Sequence, residues 1–161
     1  MSAFRPRVSI VLVAGLLSLA SAAPAFANAK VCRSQEQRYE QIERGATTLE
    51  INAALFSAAD KGCIDLARKL LDLGASLDAR DRTGAKPLAH AAMAGEVETV
   101  TLFLDRGAPI DAQDLDGSSA LFKAAENGRL SVVQLLVERG AKVDLSGRSG
   151  ITPLSAAAYM G

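Results

Sequence analysis

Histidine occurs once in the 161 residues, at His90, cysteine occurs twice, at Cys32 and Cys63, and the formal net charge at pH 7 is zero. Each scarcity excludes a class of chemistry. A Ser-His-Asp or Cys-His site would have to be built on His90 alone, and a metal site needs three or four ligands that are not present. No Gly-x-Gly-x-x-Gly or Gly-x-x-x-x-Gly-Lys-Ser/Thr stretch occurs, so no phosphate cradle is indicated. Without a basic surplus gathered on one face, nothing recruits nucleic acid or an anionic membrane. The expectation is a non-enzyme with no cofactor and no metal.

Long apolar runs are equally scarce. The one that matters is VSIVLVAGLLSLASAA at residues 8–23, preceded by Arg5 and Arg7 and followed by Pro24 and the small-x-small sequence Ala25-Phe26-Ala27. This order reads as a secretory signal peptide over residues 1–27. As a membrane anchor the run would span only about 24 Å, short of a hydrocarbon core of about 30 Å. Cys32 is not at the expected cleavage point after Ala27, which disfavours a lipid anchor. Cleavage removes two arginines and no acid, leaving 134 residues with 16 basic and 18 acidic, a net charge of −2. The expected location is periplasmic or secreted, with no stable membrane insertion after cleavage.

What the chain does have is repetition. A step of 33 links Leu55, Leu88, Leu121 and Leu154, the alanine pairs beginning at Ala58, Ala91, Ala124 and Ala157, and Gly62, Gly95, Gly128 and Gly161. The same step links Gly74, Gly107 and Gly140, then Asp78, Asp111 and Asp144. This period is the signature of stacked helical units. The units fall at residues 48–80, 81–113 and 114–146, with a partial one at 147–161. Each is expected to be a helix-turn-helix closed by a glycine. The stripes Val97, Val100, Phe103, Leu104 and Leu130, Val133, Leu136, Val137 are read as the core faces of the second helices.

The repeated layout resembles the ankyrin family, whose motif runs Asp-x-x-Gly-x-Thr-Pro-Leu-His-x-Ala-Ala-x-x-Gly, then an apolar helix, then Gly-Ala-Asp-Val-Asn. The corner of that motif is Lys86-Pro87-Leu88-Ala89, Ser119-Ala120-Leu121-Phe122 and Thr152-Pro153-Leu154-Ser155 here, so no repeat keeps the family's histidine. The first unit also has Ile51 where the others carry Gly84, Gly117 and Gly150. The resemblance implies an all-α solenoid with β-hairpin fingers at residues 77–86, 110–119 and 143–151, and a binding scaffold without chemistry of its own. It further implies partner contacts at the finger tips and first helices. In the second unit these are Arg82, Thr83, Ala85, Met93 and Ala94. In the third they are Leu115, Asp116, Ser118, Glu126 and Asn127, and in the fourth Arg148, Ser149, Ile151, Tyr159 and Met160. The partner is expected to be another protein, in an adaptor, inhibitor or immunity role. The alternative is a small envelope enzyme or a structural envelope protein using the repeats as scaffold.

Residues 28–47 form a leader, with a short helix read over residues 34–44 (SQEQRYEQIER), Ser34 as its cap and Tyr39 and Ile42 as its packing face. In an oxidising compartment Cys32 and Cys63 read as a disulfide tying the leader to the array, with two buried free thiols as the alternative. Their separation and the lack of a Cys-x-x-Cys arrangement disfavour a redox-active pair. Asp114-Leu115-Asp116-Gly117 has the Asp-x-Asp-Gly of a calcium loop, but Gly117 at loop position 6 puts Ala112 and Lys123 at positions 1 and 12, where carboxylates belong. At the other end, TPLSAAAYM in the partial unit carries no charge, so residues 151–161 are expected to fray, to self-associate or to be covered by further chain.

Overall fold

The computed structural model describes residues 23–42, 45–147 and 150–160. Among them run eight helices: α1 (Ala23–Ile42), α2 (Thr48–Lys61), α3 (Ile64–Asp72), α4 (Pro87–Ala94), α5 (Val97–Asp105), α6 (Ala120–Glu126), α7 (Leu130–Glu138) and α8 (Pro153–Met160). Consecutive helices α2 and α3, α4 and α5, α6 and α7 pack as hairpins. The first helices α2, α4, α6 and α8 then touch in one row, and α3, α5 and α7 in a second. This is an all-α solenoid.

Small residues explain the close first-helix row. Ala58, Ala59, Ala91, Ala92 and Ala124 are completely buried between neighbouring helices, and alanine combines high helix propensity with the least side-chain bulk. Larger residues fill the space between the rows: Leu55, Leu70, Val100, Phe103, Val132 and Leu136 are all fully enclosed. The turn after α2 needs Gly62, whose φ of 66° closes the helix in the left-handed region.

The second-helix stripes need correction in the third unit. Leu130 is 79% exposed and Val137 46%, whereas Val132 and Leu136 are buried. The buried face of the short second helices comprises Leu66, Ala67 and Leu70 in α3, then Thr99, Val100 and Phe103 in α5. Leu130 opens α7 at the solvent edge, where apolarity alone does not decide the facing.

The leader also differs from expectation. α1 begins at Ala23 and runs through residues 28–33, so Ser34 lies inside the helix and its hydroxyl donates back to the Val31 carbonyl at 2.8 Å. Pro24 in the first turn and the alanines after it suit a helix start, and no glycine interrupts the run. Tyr39 is buried as expected. The Ile42 side chain and residues 1–22, which hold most of the expected signal peptide, lie outside the described residues.

α1 packs on both α2 and α3, and the Cys32–Cys63 disulfide fastens it there. The repeat makes this place legible. Cys63, Glu96 and Arg129 stand 33 apart, each just before a second helix. Arg129 lies over Gly95 and donates from Nε to the Met93 carbonyl at 3.0 Å, and the Glu96 carboxylate lies over Gly62. Each unit thus reaches back onto the turn of the unit before it. Cys63 does the same to α1, which stands where a preceding unit would.

Candidate partner-binding face

The fingers connect the helix pairs and are built on backbone turns. In the second, Asp81 N donates to Ala85 O at 3.0 Å and Gly84 N to Asp81 O at 3.1 Å; in the third, Asp114 N donates to Ser118 O at 3.0 Å and Gly117 N to Asp114 O at 3.1 Å. These are two tight hairpins. Extended pairing does not develop, and the described residues contain no strand, only an isolated antiparallel bridge between Gln113 and Ser119. A second turn takes up the start of each finger, closed by Ala79 N donating to Ser76 O and Ala112 N to Pro109 O, both at 3.2 Å, and leaves few residues to form a ladder.

Side chains bind one finger to the next. Arg80 donates to its own finger at Gly84 O (2.6 Å) and forward to Gln113 O (3.0 Å), while Gln113 donates to Gly117 O (2.5 Å) and forward to Ser146 O (3.4 Å). Leu115 N donates to Thr83 O at 2.9 Å. Gly84, at φ 79°, leaves room for this approach: a Cβ there would stand 2.9 Å from Leu115 Cγ.

The finger aspartates are anchored to the first helices. Asp81 Oδ1 accepts from the Thr83 hydroxyl and from the Thr83 and Ala85 amides at 2.7–2.9 Å. Its Oδ2 meets His90 Nε2 at 3.0 Å, while His90 Nδ1 meets Asp60 Oδ1 at 2.8 Å. In the third unit Lys123 takes the place of His90 and pairs with Asp114 at 3.2 Å. His90 therefore shares a structural task with a lysine one repeat later, and the Phe56 ring packs edge-on against it with centroids 4.9 Å apart. Burial acts to raise the Asp81 carboxyl, but the Thr83, His90 and amide hydrogen bonds outweigh it and hold the carboxyl below its usual range. Glu96 moves the other way, raised by burial and then by Glu98, with Arg129 opposing.

The expected contact residues divide on this framework. Arg82, Thr83, Leu115, Asp116, Glu126 and Asn127 are exposed, as are Met93 (39%) and Ile151 (44%), and Ala94 is half-buried. Ala85 and Ser118, by contrast, are buried. They are only 7% and 6% exposed, because the chain turns inward after Gly84 and Gly117 and the next side chain packs into the stack. Asn127 and Thr83 are partly committed at home, Asn127 Nδ2 to the Lys123 carbonyl and the Thr83 hydroxyl to Asp81. Arg148 and Ser149 lie outside the described residues. So do the side chains of Tyr159 and Met160, although both residues belong to α8.

One part of the face was not expected. The first unit has no finger: residues 48–53, the counterparts of the finger tip, form the opening turns of α2. Thr47 caps them with a capping box, its N–H donating to Glu50 Oε2 at 2.8 Å and its Oγ1 accepting from Glu50 N at 3.3 Å. α4 starts at Pro87, whose counterpart in the first unit is Ala54, so α2 is six residues longer at this end. Ile51 in place of the finger glycine is the cause, since it removes the left-handed turn and continues the helix. The extension puts Leu49, Asn52, Ala53 and Phe56 on one face at i, i+3, i+4 and i+7. Opposite stand Ala79, Arg80, Asp81 and Arg82 of the second finger with His90, lining an open groove of about 680 Å³. The Ile51 departure was the signal that could have found it.

Among the described residues, no group of three or more His, Cys, Asp or Glu is placed to hold a metal ion, and no helix is long and apolar enough to cross a membrane. In comparison with known families, the description "ankyrin repeats (3 copies)" matches residues 37–114 and 88–161. No curated protein matches the chain.

Proposed function

Because the chain belongs to the ankyrin repeat family, whose repeats are generally protein-protein interaction modules, we propose that it is a non-catalytic binding protein of the periplasm or the secreted fraction. It takes one partner protein, as adaptor, inhibitor or immunity factor, along the finger tips and the first-helix row. The observation that carries this reading is the set of exposed side chains on the fingers and first helices, Arg82, Leu115 and Met93, laid over a backbone whose own polar groups are already joined finger to finger. Aromatic, methionine and arginine side chains are the residues that interface cores favour. Export rests on the order of Arg5, Arg7, the apolar run and Ala25-Phe26-Ala27. Cleavage after Ala27 removes the opening residues of α1 and leaves on the array the Cys32 disulfide, Gln35, whose Oε1 accepts from the Ser57 hydroxyl at 3.0 Å, and the buried Tyr39.

The test has two parts. Intact mass of exported protein is expected to place the N-terminus at Asn28, and retention of Met1 contradicts export. A partner captured from the periplasm and identified by mass spectrometry is expected to bind Arg82→Glu and Asp116→Lys variants more weakly, and Glu138→Lys normally. The opposite pattern overturns the face assignment.

A further inference from the structure

We propose that the helical replacement of the first finger is an anchor pocket for an acidic-apolar segment of the partner, in which a leucine or aromatic side chain stands beside an aspartate or glutamate. The proposal rests on the partner-binding reading and names the chemistry of one part of that face.

The pocket's apolar wall comes from the α2 extension. Leu49 is 79% exposed at its rim and Phe56 half-buried at its base, with Ala53 between them. A leucine or aromatic side chain laid in this open groove covers the Leu49 surface. Its polar wall has a definite sign. Two arginines, Arg80 and Arg82, line it against one aspartate, Asp81, whose Oδ1 already accepts from Thr83 and Ala85 and whose Oδ2 meets His90. Among the described residues, Arg82 is exposed with no ion pair or hydrogen bond, and Asn52 uses its Oδ1 to accept from Ser76 N at 2.8 Å while its amide N–H groups have no partner there. An apolar cleft edged by a free guanidinium and a free amide donor matches a carboxylate held next to an apolar side chain. It disfavours a basic segment, whose charge would meet two arginines against a single aspartate that is already hydrogen-bonded.

The experiment titrates the isotope-labelled full chain, followed by amide NMR, with peptides acetylated and amidated at their ends so that only side chains carry charge. The probes are Gly-Leu-Glu-Phe-Glu-Gly, the same peptide with lysine for glutamate, and the same with serine for leucine and phenylalanine. The first is expected to shift amides of residues 49–56 and of Arg82, and to bind at least about tenfold tighter than the other two. Arg82→Glu is expected to invert the charge preference. Leu49→Asp, a change at an exposed site that leaves the fold in place, is expected to abolish binding of the acidic peptide. Equal affinity for the acidic and basic peptides, or shifts that avoid residues 49–56, overturns the proposal. The captured partner separates the two readings. Binding lost in Leu115→Ser but kept in Leu49→Asp removes the pocket and leaves the face, whereas binding lost only in Glu138→Lys removes both.

Discussion

Thr99 occupies in α5 the place that Leu66 holds in α3 and Val132 in α7, and its hydroxyl is buried with no partner among the described residues. Burying a hydroxyl unbonded costs about 1–3 kcal/mol, and valine has nearly the same shape without the hydroxyl. Thr99→Val is therefore expected to stabilise the fold by about 1 kcal/mol, read as a higher urea midpoint at unchanged slope; destabilisation would show that the hydroxyl is satisfied. The finger aspartate gives a pH dependence. The folded state holds the Asp81 carboxyl below its unfolded value, so its contribution is complete above the usual carboxylate range near pH 4 and is lost as pH falls through the lowered folded value. Asp81→Asn is expected to flatten the acid limb of the stability curve, and an unchanged limb contradicts the anchoring role. At this scale the sequence was readable where a position recurs: the Leu55, Leu88 and Leu121 series is buried as its period implies. It was not readable where one side chain chooses between two turns of a short helix, as Leu130 shows, or where the backbone turns a variable position inward, as at Ala85 and Ser118.

At the scale of the element, the two ends of the first unit show what one residue can change. Ile51 in place of a finger glycine was visible in the sequence as a departure, but its consequence was not. A missing left-handed turn can shorten a loop or lengthen a helix, and here the Thr47–Glu50 capping box decides for the helix. The leader was legible as a helix tied by Cys32 and Cys63. Its start was not, because the alanine-rich stretch that reads as a cleavage region is also a strong helix former. The disulfide closes a loop of 31 residues, a constraint worth about 3.5–4 kcal/mol in the chain-entropy account. Reduction is expected to lower the melting temperature by about 10 °C and to speed hydrogen exchange in α1 before α4 or α6. Uniform loss of protection across the array would instead make α1 an integral part of a single cooperative unit.

For the whole molecule, stability is the sum of unit terms and neighbour interfaces, and ion pairs recur at the same spacing as the packing. Arg106 meets Asp72 at 2.9 Å and Arg139 meets Asp105 at 2.8 Å, each linking one second helix to the next. Both pairs are exposed, so each adds only about 0.2–1 kcal/mol, and they reinforce a stack that apolar burial holds. The solenoid leaves two unlike surfaces: a finger and first-helix side whose fingers are joined by the Arg80 and Gln113 bonds, and a second-helix side with these ion pairs. The proposed partner lies on the first. A photo-reactive amino acid introduced singly at Arg82, Met93 or Leu115, and for contrast at Gln134 or Glu138, measures this directly in cells expressing the chain. Irradiation is expected to give one higher-mass protein adduct from the first three positions and none from the last two. Adducts from Gln134 and Glu138 with none from Arg82, Met93 and Leu115 would contradict it.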